Sequence, residues 1–169
     1  MKVFAIKMLL LLVLFFAADL LLGKIIGYLH LNTKNINLIN TNYGFLESCK
    51  DDVVFFGDST VSHSFITEKI ILETGLSSYN FASDGCGIYY QYPLLETILE
   101  KHTPKAILIS SYQLNGSGSD YLPRIYPYYR NNKYVRKIVN EIHSNESIKL
   151  AFNGYVYNSK IIRIFDSRN

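Results

Sequence analysis

From residue 3 to residue 22 the chain is almost wholly apolar, centred on Met8-Leu-Leu-Leu-Leu-Val-Leu-Phe-Phe-Ala-Ala18 and continued by Leu20, Leu21, Leu22, Ile25 and Ile26. A helix needs roughly 20 such residues to cross a bilayer core, so this run predicts a membrane span. Residues 32–42 are polar and asparagine-rich, the composition of a linker. Beyond Asp51 the pattern changes to short apolar runs alternating with amphipathic stretches. Residues 53–56 read as a buried strand, 62–73 as a helix carrying Ile66, Ile70 and Ile71, and 78–82 as a short strand. Residues 93–101 read as a helix with Leu94, Leu95, Ile98 and Leu99 on one side and Pro93 near its first turn, where a missing N–H costs nothing. Residues 106–110 predict a third buried strand. Residues 133–142 predict a helix, with Val135, Ile138, Val139 and Ile142 at helical spacing. Residues 150–169 contain apolar positions but no pattern that defines an element, and the chain has no internal repeat.

Alternating strands and helices imply crossover connections and a parallel sheet covered on both faces. The expected architecture is α/β, a three-layer flavodoxin-like sandwich hung from one N-terminal transmembrane helix. Residues 1–29 are the anchor, 30–50 the linker and 51–169 the globular domain, whose length is at the small end of normal. Lys2 and Lys7 precede the centre of the apolar run at Met8, which favours a cytoplasmic N-terminus and an exported domain, in a bacterium a single-pass inner-membrane protein. A cleaved signal peptide is the rival reading. Ala17 and Ala18 are small, but no A-x-A site closes the run and Leu20-Leu21-Leu22 follow at once, which favours an uncleaved anchor. Asp19, a charge inside the run, can face the interface near Lys24 and carries no assigned function.

The net charge of +3 comes from scattered lysines and arginines and calls for no nucleic-acid partner. Fourteen tyrosines with no tryptophan fit a packed domain better than a disordered tail. Cys49 and Cys86 would meet an oxidising environment after export, but nothing in the sequence sets their separation, so a disulfide stays open. Cys86 otherwise reads as a small buried residue.

The chemistry gathers where the strands end. The three ends read Gly57-Asp58-Ser59, Ser83-Asp84-Gly85 and Ser110-Ser111-Tyr112-Gln113-Leu114-Asn115. In an open α/β sheet the site lies beyond the carboxyl ends of the strands. A serine delivered there to a helix start sits among backbone N–H groups and a dipole that favour developing negative charge, which suggests acyl transfer. Asp58 suits helix N-capping. Residues 121–137 mix aromatics with Arg124, Arg130, Lys133, Arg136 and Lys137. They read as a packed loop and a solvated helix face, with stacking on sugar rings as the alternative.

These strand ends resemble the SGNH (GDSL-type) hydrolase superfamily over roughly residues 52–116. The resemblance implies that Ser59 is the nucleophile, that the Gly85 N–H belongs to the oxyanion hole, and that Asn115 or Gln113 adds a side-chain donor. In the third block the family's glycine and following aspartate are missing. The spacing of Ser59, His63, Phe65 and Pro127-Tyr128-Tyr129 is similar to membrane-anchored bacterial members that act on cell-surface polysaccharides. The implied activity is a serine esterase acting on O-acyl, chiefly O-acetyl, groups of exported glycans. Its implied partners are the bilayer and the acylated polysaccharide, and no metal or organic cofactor is implied.

The family's catalytic histidine, which follows an aspartate by three residues, has no counterpart among His30, His63, His102 and His143. His63, one helical turn after Ser59, reads as structural or substrate-contacting before it reads as the base. The family's sheet usually has five strands, against three expected here. The simplest expectation is therefore the N-terminal part of a longer hydrolase. The alternatives are a naturally short, inactive pseudohydrolase that binds glycan or a cell-envelope partner, and a gene fragment with an uncovered sheet edge.

Overall fold

A computed structural model describes residues 2–32, 46, 48–110, 119–158 and 161. They fall in two compact units, one within residues 1–36 and 145–169, the other within residues 37–144.

In the first unit, helix α1 runs unbroken over Lys2–Leu31. It is long and apolar enough to cross a membrane. A helical turn, Glu146–Lys149, opens the unit's second segment, and a 3-10 turn, Tyr155–Tyr157, lies against α1 within residues 150–169, where sequence pattern defined no element. Asp19 of α1 is bound by residues of the unit's second segment. Its carboxylate accepts from the Asn153 N–H at 2.8 Å, from Asn153 Nδ2 at 2.8 Å and from the Gly154 N–H at 2.9 Å.

The second unit is α/β, built on a three-stranded parallel sheet in the order β2-β1-β3. Strand β1 is Val53–Phe56, β2 is Ser78–Asn80 and β3 is Ala106–Ile109. Val53 pairs with Ser78 on one side and Ala106 on the other, and Phe56 is opposite Ile109. As the central strand, β1 is buried at all four positions, which is why it reads as a continuous apolar run. Strand β3 corrects the expectation of a third buried strand. Among the described residues it pairs on one side only, and Ile107, Leu108 and Ile109 are 37, 41 and 42 % exposed.

The helix expected over residues 62–73 is two helices, α2 at Ser59–Ser64 and α3 at Thr67–Thr74. Phe65 and Ile66 between them are extended. Two contacts impose the break. The Phe65 ring stacks on Phe55 with centroids 4.7 Å apart, and Asn80 Nδ2 donates to the carbonyls of Val61 at 3.1 Å and Phe65 at 3.4 Å.

Helix α4, Ile88–Leu99, starts earlier than expected, so Pro93 lies inside it and not in its first turn. The row Tyr90, Leu94, Ile98 is buried along its whole length, and that stripe carries the helix through the proline at the loss of one N–H. Residues 121–130, expected as a loop, lie mostly in a 3-10 helix, Ser119–Tyr128, with Leu122, Ile125 and Tyr126 buried.

Helix α5, Lys133–Ile142, has the expected bounds, with Val135, Ile138 and Val139 buried. Asn132 caps it by accepting from the Tyr134 and Val135 N–H groups and ties it to α4 by donating to Thr97 Oγ1 at 2.8 Å. Cys49 and Cys86 are both free and buried, and burial pushes both thiols above their usual range.

Candidate active site at the strand ends

The carbonyl of Gly57, the first residue past β1, accepts two hydrogen bonds. One comes from the Ser83 N–H at 3.0 Å and the other from the buried Gln91 Nε2 at 2.7 Å. The end of β1 is thereby fastened both to the loop that follows β2 and to helix α4. Asp58 is extended and caps α2, its Oδ1 accepting from the Thr60 N–H at 2.9 Å. Ser59 follows as the first residue of α2, and it is exposed. Among the described residues no group hydrogen-bonds to its hydroxyl or its N–H.

The neighbouring strand ends in a second turn. The Phe81 N–H donates to Phe55 at 2.8 Å and continues the ladder, and the Ala82 N–H turns onto Asn80 Oδ1 at 3.0 Å. The Cys86 N–H then closes a turn onto the Ser83 carbonyl at 3.0 Å. Gly85 within this turn has φ 71°, a left-handed conformation that costs an ordinary residue about 1–2 kcal/mol. A Cβ at that position would lie 2.7 Å from the Tyr121 ring. Gly85 is exposed, and its N–H meets no described acceptor.

The 3-10 helix braces this turn. Arg124 Nη1 donates to the Asp84 carbonyl at 2.9 Å and to Cys86 Sγ at 3.2 Å, and its guanidinium lies 4.6 Å above the centre of the Tyr121 ring.

His63 joins the two strand ends. Its Nε2 lies 3.2 Å from Asp84 Oδ2, with the two side chains 71 and 56 % exposed. Helical side chains lean toward the N-terminus, so the ring of His63 stands over the turn that begins with Ser59.

The structure thus puts Ser59 and Gly85 at the carboxyl ends of paired strands, with a His63–Asp84 pair beside them. Gln113 and Asn115, the two expected side-chain donors, lie outside the described residues. The other histidines have partners or places of their own. His30 is buried against Tyr157, His102 Nε2 is 3.0 Å from the Asp51 carbonyl at the amino end of the sheet, and His143 ends α5. A depression of about 210 Å³ lined by Thr97, Glu100 and Lys133 is at the end of α4 remote from Ser59.

Sequence reading missed three participants. Asp84 was visible at a strand end, but its pairing with His63 spans 21 residues. Arg124 was visible only as one cation of a basic stretch. Gln91 carried a usable signal, being a polar residue within the apolar stretch that became α4.

Comparison of the chain with protein-family models, with curated proteins and with solved structures gives no match.

Proposed function

We propose that this chain is a membrane-anchored serine acyl-transfer protein of the SGNH type, acting as an esterase on O-acyl groups of exported glycans. The observation that carries the reading is an exposed serine, opening a capped helix at the end of the central strand, beside an exposed glycine turn at the end of the next strand. The sheet order β2-β1-β3 supports it as well, since flavodoxin-like sheets begin in that order.

In this reading Ser59 Oγ bonds to the ester carbonyl carbon as its proton passes to a base. The carbonyl electrons move onto the oxygen, where the Ser59 and Gly85 N–H groups receive them, with Asn115 or Gln113 as a third donor. Collapse expels the alcohol of the sugar, and water then releases the acid from the acyl-serine. His63 is the nearest imidazole in sequence. With Nε2 on Asp84, its Nδ1 is the nitrogen left to take the serine proton. Lys2 and Lys7 ahead of the centre of the apolar run support an extracytoplasmic site.

One observation favours a second reading. The Ser59 hydroxyl is not hydrogen-bonded to His63, and a serine without a base is a weak nucleophile. The same surface, with Tyr121 and Arg124 behind it, would then bind an acylated glycan without cleaving it.

The experiment is fluorophosphonate labelling and 4-nitrophenyl acetate hydrolysis by the full chain in lipid nanodiscs. The esterase reading expects labelling that Ser59→Ala abolishes. Absence of labelling together with retention of acetylated glycan would select the binding reading, and hydrolysis that survives Ser59→Ala would remove the nucleophile.

A further inference from the structure

A carboxylate in an apolar membrane helix faces protein or water and finds partners there. The partners of Asp19 come from the other end of the chain: the Asn153 N–H and Nδ2 on one oxygen at 2.8 Å each, and the Gly154 N–H on the other at 2.9 Å. This clasp is the middle of a longer contact. Below it, Phe152 lies edge-on to Phe15 at 6.0 Å and stacks on Phe16 at 6.4 Å, the latter planes 4° apart. Above it, the helix surface is cut back by glycine. A Cβ on Gly23 would fall 2.3 Å from Asn153 Cβ, and one on Gly27 would fall 2.8 Å from the Tyr157 hydroxyl. Higher still, the rings of His30 and Tyr157 are 5.7 Å apart.

The rise of a helix converts these contacts into depths. The apolar run of α1 closes at Leu22. At 1.5 Å per residue, Phe16 lies about 9 Å inside that boundary, Asp19 about 4.5 Å inside, and Gly27 about 7.5 Å outside. Segments that lie in a membrane interface bury their apolar face by about 5–10 Å. We propose that residues 146–157 are a second membrane contact, a foot whose Phe152 enters the leaflet at the C-terminal end of α1 while its tyrosines sit at headgroup level. The partner of this surface is the bilayer, because residues 152–157 of the segment are bound along a helix built to be inside one. Ile148 agrees: it is 71 % exposed on the short helical turn, beside Lys149. Lipid would cover the first, while the second is paired with Glu146 at 2.6 Å.

The chain has no tryptophan, so Phe152→Trp creates a single reporter. The full chain carrying it is reconstituted in phosphatidylcholine vesicles with or without acyl-chain bromination. Brominated lipid is expected to quench its emission roughly two-fold or more, and aqueous iodide to have little effect. The reverse pattern, iodide quenching without bromine quenching, overturns the proposal. Adding Asp19→Ala is expected to abolish the bromine quenching and admit iodide. That change makes α1 more apolar, so insertion of the helix is not at risk. Bromine quenching that persists unchanged in Asp19→Ala removes the carboxylate from its assigned role. Asn153→Ala, which deletes one of the three donors, is expected to give an intermediate loss, and no loss at all would count against the clasp in the same way.

Discussion

The side-chain amide of Gln91 donates to the carbonyl of Gly57 at 2.7 Å, deep between α4 and the end of β1 and two residues ahead of Ser59. Gly57 keeps its second donor, the Ser83 N–H, when the glutamine is lost. Gln91→Leu therefore leaves no orphaned carbonyl. It also removes the buried Oε1 of Gln91, which no described group meets, so the cost is expected to be about 1 kcal/mol at most, read as a small or no fall in melting temperature in detergent. A loss above about 3 kcal/mol would mean that Gln91 holds more than this carbonyl.

Gly85→Ala meets two penalties of different origin. The left-handed backbone costs about 1–2 kcal/mol, and the new methyl overlaps the Tyr121 ring. Tyr121→Ala in the same chain is expected to remove the second penalty and leave the first. A denaturant-based double-mutant cycle should therefore show the pair less destabilising than the sum of the singles. Strict additivity would show that the ring moves aside without cost.

The His63–Asp84 pair is exposed, and such pairs contribute little to stability. The Asp84 backbone is held separately by Arg124. Asp84→Asn and His63→Ala are thus expected to leave the melting temperature unchanged. Under the esterase reading, His63→Ala lowers kcat by about 10²–10⁴, the usual contribution of a general base. Equal rates for wild type and His63→Ala would assign the base elsewhere.

Burial raises the thiols of Cys49 and Cys86, so a smaller fraction is thiolate at any pH than for a free cysteine. Ellman's reagent at pH about 8, near the ordinary thiol pKa, is expected to react slowly with the native chain and rapidly with both cysteines in denaturant. Raising the pH should speed the native reaction past the point where a free cysteine has levelled off. Immediate stoichiometric reaction of the native protein would contradict the buried placement.

What could be read in advance depended on how local its cause was. Strand β1 and helix α5 were legible because their apolar periodicity is complete within each segment, and Asp58 because a cap acts two residues away. The break at Phe65 was not, since it is made by Phe55 and Asn80 on the sheet. The early start of α4 was hidden by the usual meaning of proline, which the buried row of Tyr90, Leu94 and Ile98 outweighs. The exposure of β3 was equally illegible, because its composition is that of a covered strand and only its place at the sheet's edge differs. At the site, Ser59 and Gly85 followed from strand ends, while the partner of His63 came from another loop. The partners of Asp19 were the least accessible, 134 and 135 residues away.

That distance sets a timetable. Chains grow at about 5–20 residues per second, so Asp19 is made on the order of ten seconds or more before Asn153 exists to meet it. If α1 spans the bilayer as proposed, through that interval it does so with a bare carboxylate, which a helix minimises by riding toward the water on that side. Arrival of Asn153 and Gly154 removes the reason to ride high. The newborn and the finished protein should therefore hold the same helix at different heights in the membrane.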